Sequence, residues 1–423
     1  MATNRIDSDF LTAEEERRQS LRRAEDLRRH IDDYLAARDS ISCGREWADQ
    51  IERHKERLLN LLGGTEDHWR DWHWQMRNRI SDVGLLSAFI ELERETIRDV
   101  ERVSRSYRWA VSPYYAAVAA AGGIGGPVWR QAVPAACELA DTKGTADPMA
   151  ERLTSPAPGI TRRYPDRLII NVTNQCPMYC RHCQRRRNIG ELDRHQPKEV
   201  LEAALDYIRA NPEIRDVLIT GGDALLLSDN LLDWLLDQLH RIEHVEIKRL
   251  GTRTLATLPQ RITLELCAVL EKYPPIYINT QFNHPLEVTP EAAAACDRLV
   301  RAGVVLGNQA VLLKGVNNDP HVMKKLNHEL LRVKVRPYYI FHAKSVRGTS
   351  HFITPVEEGL EIMEKLRGYT SGLAVPTYII NAPGGYGKTP ILPPYVLEHN
   401  KKKLVLRTWE NRIIPYPNDP SGH

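Results

Sequence analysis

The stretch that decides the fold runs from Leu168 to Cys183 and reads Leu-Ile-Ile-Asn-Val-Thr-Asn-Gln-Cys-Pro-Met-Tyr-Cys-Arg-His-Cys. It predicts a short apolar strand followed by a loop with cysteines at positions 176, 180 and 183, three of the seven in the chain. A four-iron four-sulfur cluster usually takes four cysteines, so three close together predict a cluster whose fourth iron binds another molecule. The alternative is a structural zinc site that His182 would complete, although no second pair of zinc ligands follows.

Beyond this strand the sequence alternates between short apolar segments and amphipathic helical segments. Such alternation predicts an α/β fold in which parallel strands are joined by right-handed crossovers, as a barrel or as an open doubly wound sheet. Reactive side chains are then expected at the C-terminal ends of the strands, where the cysteine loop also lies. The predicted strands are 168–172, 217–220, 246–250, 276–279, 304–311, 335–341 and 376–380. The predicted helices are 197–210, 230–242, 260–271, 290–301, 322–333 and 356–366.

Glycine and polar residues follow several of these predicted strands. Gly221, Gly222 and Asp223 come directly after one strand, and Arg253 follows the next. A glycine at the end of a strand can simply mark a tight turn. Because all these residues should lie at one edge of the sheet, we interpret them together as a pocket lining in which Arg253 could hold a carboxylate.

A second motif, Asn381-Ala-Pro-Gly-Gly-Tyr-Gly-Lys388, follows the last predicted strand. It continues as Gly-Lys-Thr like a phosphate-binding P-loop, but a P-loop has four residues between its first glycine and the final Gly-Lys. Proline residues, rather than a helix pattern, follow the motif here. A lysine on a glycine-rich loop is instead well placed to form a Schiff base with a carbonyl cofactor.

The overall composition argues against two classes of partner. The chain has 423 residues, of which 58 are basic and 55 acidic, and its net charge of +3 does not favour nucleic-acid binding. The longest run of small apolar residues, 116–126, is much shorter than the about 20 residues that a membrane span requires. The first residues lack the apolar core of a signal peptide, and cysteines at metal-ligand spacing fit a reducing compartment. We therefore expect a cytoplasmic protein with no nucleic-acid or membrane partner.

The region before residue 109 is predicted to be helical. Apolar residues recur every three or four places over 13–38, and residues 51–62 form a second helical segment that Gly63 should end. Arginines of the first segment are interleaved with acidic residues, which favours a solvated helix face over a nucleic-acid contact. Three tryptophans between residues 69 and 74 are predicted to pack in a core rather than to stack on bases.

The ordered motifs resemble the lysine 2,3-aminomutase family, whose members are radical S-adenosylmethionine enzymes that also carry pyridoxal phosphate. The resemblance covers roughly residues 69–412 and implies a partial (β/α)6 barrel with an N-terminal helical extension and a C-terminal pyridoxal-phosphate-binding segment. It implies an isomerase in which a radical formed from S-adenosylmethionine allows an amino group to move from C2 to C3 of an amino acid. The matching stretches are 155–159, 163–167, 174–187, 218–225, 282–285, 307–309, 336–339 and 382–385.

The resemblance also implies roles for individual residues. Cys176, Cys180 and Cys183 would bind three irons of a [4Fe-4S] cluster, and the fourth iron would bind S-adenosylmethionine. Contacts to S-adenosylmethionine are implied for Gly221, Gly222, Asp223 and Arg253.

The cofactor lysine and its neighbours follow from the same resemblance. Lys388 matches the catalytic lysine that holds pyridoxal phosphate, and Arg163 and Arg167 match residues near the phosphate group, where a charge-assisted clamp makes physical sense. Arg185 matches the arginine that grips the substrate α-carboxylate.

Two departures from the lysine-type pattern indicate which amino acid is the substrate. Lysine-specific members hold the distal ammonium with two aspartates, and here those positions are Lys344 and Asn381. A substrate ammonium beside Lys344 would cost several kcal/mol in repulsion, whereas a distal carboxylate would gain a salt bridge and an amide donor. This pair is similar to that of the glutamate 2,3-aminomutase branch, so glutamate is the expected substrate and β-glutamate the expected product. The alternative to this substrate pocket is that Lys344 faces solvent and that Asn381 only caps the glycine turn.

Other functions remain open at this stage. A lysine or arginine 2,3-aminomutase is the nearest, and an iron-sulfur electron-transfer or binding protein without rearrangement belongs to a different class. We also expect an electron donor such as flavodoxin or ferredoxin, and a homo-oligomer. The chain is predicted to comprise a helical region (1–108), a connecting segment with phosphate contacts (109–166), a barrel core (167–375) and a C-terminal segment with the lysine loop (376–423).

Overall fold

The computed structural model describes residues 12–418, and the protein divides into two compact units, residues 1–41 and 42–423. The smaller unit contains helices α1 (Ala13–Arg29) and α2 (Asp32–Arg38). The side chains of Thr12 and Glu15 cap each other's backbone amides at the start of α1. The apolar stripe predicted over 13–38 is therefore divided between two helices, because the backbone of Ile31 leaves the helical conformation.

The larger unit begins with short helices. Helix α3 ends at Gly63, whose φ of 62° is the left-handed conformation expected of a helix C-cap. Trp69 and Trp74 are buried, as their predicted packing role requires. No helix within residues 12–418 has the length and apolar character to cross a membrane. The helices that precede the sheet are α3 (Ala48–Leu62), α4 (Glu66–Arg70), α5 (Trp72–Arg77), α6 (Val83–Phe89), α7 (Arg94–Ser104), α8 (Pro113–Ala121), α9 (Pro127–Ala132) and α10 (Cys137–Ala140).

A nine-stranded sheet forms the centre of the larger unit, with its strands in sequence order. Strands β2 to β8 are parallel, whereas β1 and β9 run antiparallel at the two edges. The two edge strands do not pair with each other, so the sheet is not closed. The strands are β1 (Ile160–Arg162), β2 (Arg167–Thr173), β3 (Asp216–Gly221), β4 (Ile247–Gly251), β5 (Ile276–Thr280), β6 (Val305–Leu312), β7 (Arg336–His342), β8 (Thr377–Asn381) and β9 (Lys388–Pro390).

Helices connect the parallel strands in the predicted alternation. Six β/α units lead to β8, the seventh parallel strand, which confirms the α/β fold and the partial barrel. The helix predicted at 260–271 begins only at Leu264, because a 3₁₀ turn precedes it and Thr263 caps its first turn. The connecting helices are α11 (Lys198–Arg209), α12 (Asp229–His240), α13 (Thr254–Thr257), α14 (Leu264–Glu271), α15 (Pro290–Arg301), α16 (Pro320–Arg332) and α17 (Val356–Leu366).

A separate three-stranded antiparallel sheet lies near the C-terminus and was not predicted from the sequence. Its strands are β10 (Val396–His399), β11 (Lys403–Arg407) and β12 (Ile413–Pro417).

Two hydrophobic cores lie on either side of the cysteine loop. Leu250 and Ile278 are fully buried in the core between the sheet and its helices. Trp109 and Tyr114 belong to a second core in the helical region, and Met178 of the cysteine loop is buried among them. The helical region therefore fixes the position of the cysteine loop over the ends of the strands.

We expect Leu250→Ala to destabilise the protein by about 2–5 kcal/mol, because it leaves a cavity in a close-packed core. Leu264→Ala makes the same chemical change at a side chain that is 72% exposed, and it should have little effect. Thermal unfolding of the two variants beside the unaltered protein measures the difference. Equal unfolding midpoints for the two variants would contradict this description of the core.

Candidate active site

A cavity of about 270 Å³ opens at the C-terminal ends of the parallel strands. Every residue that the sequence placed in the site lines this one cavity. These residues are Arg163, Arg167, Cys176, Cys180, Cys183, Arg185, Gly221, Gly222, Asp223, Arg253, Lys344, Asn381 and Lys388.

Backbone hydrogen bonds join the cysteine loop to the end of β3. The amide of Gly222 donates to the carbonyl oxygen of Thr173 at 2.5 Å, and the amide of Asp223 donates to that of Gln175 at 2.8 Å. A Cβ atom on Gly221, where φ is 136°, would lie 2.4 Å from the Thr173 oxygen, and one on Gly222 would lie 2.3 Å from the Gln175 oxygen. The two glycines are thus required by the close approach of the cysteine loop. The amides of Gly222 and Asp223 donate to the cysteine loop and are therefore not free for a ligand.

The helical region holds the other side of the same loop. The amide of Tyr179 donates to the carbonyl of Ala110 at 3.0 Å, and that of Arg181 donates to the carbonyl of Gln131 at 2.9 Å. The guanidinium of Arg181 also forms a buried ion pair with Glu138 at 2.5 Å. Contacts from two regions of the chain therefore determine where the cysteines lie.

The three thiols are free and reach the same cavity. Among residues 12–418 no three His, Cys, Asp or Glu side chains are placed around a single point to hold one metal ion. An iron-sulfur cluster instead binds each cysteine through a different iron, so separated thiols on one cavity wall fit it. Arg253 Nη1 donates to Cys180 Sγ at 2.9 Å, which places a positive charge where cluster thiolates would lie.

Buried partners hold Arg253 and Asp223 in fixed positions. Arg253 forms an ion pair with Glu287 at 2.7 Å. Both oxygens of Asp223 accept hydrogen bonds, from the hydroxyls of Thr252 and Thr254 and from the amide of Arg253 among others. Asp223 therefore orders the loops after β3 and β4, a structural task that the sequence did not indicate.

Arg163 and Arg167 line the cavity, and each has one unused donor. The Nε atoms of both are buried and have no hydrogen-bond partner among residues 12–418. The guanidinium of Arg167 lies 3.9 Å from the ring centre of Tyr164, which keeps it flat against the cavity wall. Buried guanidinium donors without acceptors fit a phosphate or carboxylate ligand.

Glu151 is the shared partner of three arginines around the cavity. Its carboxylate lies 2.7 Å from Arg163 Nη2, 2.9 Å from Arg185 Nη2 and 2.7 Å from Arg187 Nη2. Burial opposes ionisation, but the arginines outweigh it and hold the pKa of Glu151 at about 2. Glu151 thereby keeps the predicted phosphate-binding and carboxylate-binding arginines side by side despite their mutual repulsion.

Aromatic rings surround the side-chain amine of Lys388. Burial, together with the positive charges of Arg249 and Arg167, lowers the pKa of Lys388 to about 8. A lysine with this pKa is partly neutral in the physiological range, and the neutral amine is the form that attacks a carbonyl. Its Nζ lies between 5.3 and 5.9 Å from the ring centres of Tyr164, Tyr339 and Phe341.

Lys344 and Asn381 lie on the wall of the same cavity. Lys344 Nζ is 5.3 Å from the ring centre of Phe341, which also faces Lys388. Burial, followed by neighbouring positive charges with that of Arg163 first, lowers the pKa of Lys344 to about 7. Asn381 Nδ2 is buried and finds no hydrogen-bond partner in the described part of the chain. Lys344 thus lines the cavity, as its predicted role in the substrate pocket requires.

Two family models match the chain. One, described as Radical SAM superfamily, covers residues 170–326, and the other, described as Lysine-2,3-aminomutase, covers residues 363–422. A glutamate 2,3-aminomutase of Clostridioides difficile (strain 630) is 54% identical over 407 residues, which make up 96% of this chain and 96% of that protein. The chain belongs to the lysine 2,3-aminomutase family.

Further members of the lysine 2,3-aminomutase family are almost as similar. An L-lysine 2,3-aminomutase of Clostridium subterminale is 49% identical and one of Fusobacterium nucleatum is 48% identical. Each alignment covers 83% of this chain, and 85% and 83% of the two relatives respectively. The resemblance found in the sequence is confirmed, and the protein is an isomerase of the radical S-adenosylmethionine type. The radical S-adenosylmethionine domain implies that the protein uses a [4Fe-4S] cluster and S-adenosylmethionine. The three thiols on the cavity wall fit the cluster.

The sequence did not point to Glu151, although it pairs with two arginines that line the cavity. The residue stands in a connecting segment without a motif, and its importance arises from pairing with arginines that are 12 to 36 positions away. A signal was nevertheless available, since Arg163 and Arg185, both predicted for anionic ligands, require a buried counter-charge when no ligand is bound.

We expect Glu151→Gln to destabilise the protein by about 3–5 kcal/mol, because the buried arginines lose their shared counter-charge. Glu213→Gln is the matched control: Glu213 pairs with Arg162 at 2.7 Å, but it is 51% exposed, so its loss should cost less than about 1 kcal/mol. Denaturant unfolding of both variants measures the two effects. Similar losses would mean that Glu151 does not hold the arginine group together.

Proposed function

We propose that the protein is a glutamate 2,3-aminomutase, which moves the amino group of L-glutamate from C2 to C3 and releases β-glutamate. The observation that carries this proposal is the charge of the cavity. Seven of its lining side chains are arginine or lysine, and one, Asp223, is acidic. A substrate with two carboxylates compensates such a surface, whereas the cationic tail of lysine or arginine would add to the repulsion.

Lys344 and Asn381 would bind the distal carboxylate of glutamate. An ammonium and an unused amide donor that belong to residues lining the same cavity would supply a salt bridge and a hydrogen bond to a single carboxylate. The nearby carboxylate would stabilise the charged form of Lys344, whose pKa of about 7 leaves it partly neutral in the free enzyme. The 54% identity to a protein named glutamate 2,3-aminomutase supports the same substrate.

Arg185 would bind the α-carboxylate at the opposite side of the substrate. Its Nε and Nη2 contact Glu151, so the carboxylate of Glu151 fixes the plane of the guanidinium. A substrate held at both ends cannot turn in the cavity, which keeps C3 in one position during the transfer.

The residues around Lys388 fit pyridoxal phosphate. Lys388 would hold it covalently, and the unused Nε donors of Arg163 and Arg167 would bind its phosphate group. When bound, the reduced cluster and S-adenosylmethionine supply the radical that removes a hydrogen atom from the substrate, and pyridoxal phosphate delocalises the unpaired electron. The aromatic rings beside Lys388 would exclude water and stray hydrogen donors from this volume.

Several wider features belong to the same proposal. Cys176, Cys180 and Cys183 would bind the cluster, and Gly221, Gly222, Asp223 and Arg253 would shape the S-adenosylmethionine side of the cavity. A flavodoxin or ferredoxin would supply the electron, the enzyme would act as a homo-oligomer, and its free cysteines suit the reducing cytoplasm. The four segments 1–108, 109–166, 167–375 and 376–423 remain our functional division of the chain.

We expect pyridoxal phosphate to attach to the protein faster as the pH rises, with a half-maximal rate near pH 8, because neutral Lys388 is the reactive form. Absorbance spectroscopy at a series of pH values follows the attachment. Lys388→Ala should abolish it while the iron-sulfur absorbance remains, and Lys401→Ala, which changes an exposed lysine, should leave it unaltered. A half-maximal rate near pH 10 would contradict the described surroundings of Lys388.

We expect the reconstituted, reduced enzyme to convert glutamate and to leave lysine and arginine unchanged. Lys344→Gln should lower kcat/KM for glutamate by about 30-fold or more, because a buried charge pair with the distal carboxylate is lost. The KM of the unaltered enzyme should rise above about pH 7 as free Lys344 loses its proton. Anaerobic assays with S-adenosylmethionine, pyridoxal phosphate and dithionite, read out by mass spectrometry of β-amino acids, measure these quantities.

Lys314→Gln provides the control for Lys344→Gln. Lys314 follows β6 at the same end of the sheet but is exposed to solvent, so its removal should not alter the kinetics. Formation of β-lysine or β-arginine would overturn the assignment of glutamate. Unchanged glutamate kinetics in Lys344→Gln would remove Lys344 from the substrate site.

A further inference from the structure

A second cavity, of about 720 Å³, lies next to the cysteine loop on the side of the helical region. Its lining contains one acidic side chain, Glu191, and five arginines. We name the group of five the arginine cleft: Arg77, Arg79, Arg105, Arg108 and Arg186.

The carboxylates behind the arginine cleft do not neutralise it. Asp193 is shared by Arg79 and Arg108, which lie 2.5 and 2.9 Å from it. Glu138 is shared in the same way by Arg186 and by Arg181 of the cysteine loop. Each of these two carboxylates thus faces two guanidinium groups, so each group of three side chains carries a net positive charge.

The rim of the arginine cleft is accessible from solvent. Arg77 is 66% exposed, and its ion pair with Asp71 is loose, at 3.4 Å, and itself exposed. Arg105 follows the C-terminal end of α7 and is also exposed. Exposed charges of one sign around a cleft attract an oppositely charged partner from a distance.

The arginine cleft touches the backbone that carries the cluster cysteines. Arg79 Nη1 donates to the carbonyl oxygen of Cys176 at 2.7 Å. Ile189 lines both the arginine cleft and the active-site cavity, so the two are adjacent. A molecule seated in the cleft would lie beside the cluster without entering the substrate cavity.

We propose that the arginine cleft is the docking site of an acidic one-electron carrier protein. This inference rests on the proposed function, because that chemistry requires one electron to enter the cluster from outside. The reduced carrier gives up one electron and is oxidised by one unit, and the cluster is reduced by one unit. No bond is made or broken in the transfer.

Geometry and charge together favour a carrier protein at this place. The active-site cavity must exclude water and hydrogen donors during the reaction, so the electron has to arrive through another face. The arginine cleft is such a face, and its charge is complementary to an acidic protein.

The test uses the reconstituted enzyme and two carrier probes, an acidic bacterial flavodoxin and an acidic bacterial ferredoxin. The double variant Arg77→Glu with Arg105→Glu reverses two rim charges without touching the buried pairs. We expect carrier affinity, measured by titration calorimetry with the oxidised carrier, to fall about tenfold or more. Cluster reduction by the reduced carrier, followed by electron paramagnetic resonance, should slow in parallel. Reduction by dithionite should stay within about twofold, because this small molecule needs no docking surface.

Two further variants of the enzyme test whether the effect depends on the rim charges. Arg77→Gln with Arg105→Gln should give a smaller loss of affinity than the glutamate pair, since it removes charge without reversing it. Arg241→Glu changes an arginine that is 72% exposed at the end of α12, and it should bind the carriers like the unaltered enzyme.

Carrier affinity decides the proposal independently of the amino acid that the enzyme rearranges. Weaker binding in the rim variants, with a graded effect and with a difference from the unaltered enzyme that shrinks at higher salt, supports the arginine cleft as the docking site. The proposal is overturned if neither carrier binds the unaltered enzyme. Equal affinities in the unaltered enzyme and the Arg77→Glu, Arg105→Glu variant would overturn it as well.

Discussion

The arrangement of the cavity depends on buried and partly buried carboxylates that hold a concentration of positive charge around it. Glu151 binds three arginines, Glu287 binds Arg253, and Asp216 binds Arg249 at 2.7 Å. Without these partners the guanidinium groups would repel one another and would be buried unpaired, which is among the costliest defects in a protein interior. The carboxylates come from different parts of the chain, so the charge of the site also ties those parts together. Donors that remain unused after this pairing are the ones left for ligands.

The regular part of the architecture could be read from the sequence because its signals are local. Each predicted parallel strand agrees with an observed one to within one or two residues, since apolar runs between helical segments have few other interpretations. Strands β1 and β9 have three residues each and show no alternation, and the residues of β10 and β12 are exposed. The pairing of such segments depends on tertiary neighbours that a local pattern does not contain.

The identity of the site residues was predictable for a similar reason, but the contacts that each of them makes were not. Motifs at strand ends located the thiols, the glycines and Lys388 on one cavity, and the family resemblance added Lys344. Glycine is required at positions 221 and 222 because the backbone of the cysteine loop occupies the space where a side chain would be, and not because of a ligand contact. Glu151, in contrast, belongs to no sequence motif, and it acquires its role only from the arginines that the fold brings next to it. Lys344 and Lys388 are chemically alike, but the proposed anion binding requires the charged form of Lys344, and the proposed covalent attachment requires the neutral form of Lys388.

The two edge strands of the sheet, β1 and β9, do not pair with each other, and we call the boundary between them the seam. Arg163 directly follows β1, and Lys388 begins β9, so each edge strand carries part of the proposed pyridoxal phosphate site. The seam is joined by isolated contacts, such as the amide of Lys388 donating to Tyr164 Oη at 3.0 Å, rather than by a ladder of strand hydrogen bonds. Parting the two edges would therefore break few backbone hydrogen bonds and leave the seven parallel strands intact. The proposed pyridoxal phosphate site thus lies between two edges that no strand pairing closes, an arrangement that a closed barrel does not have.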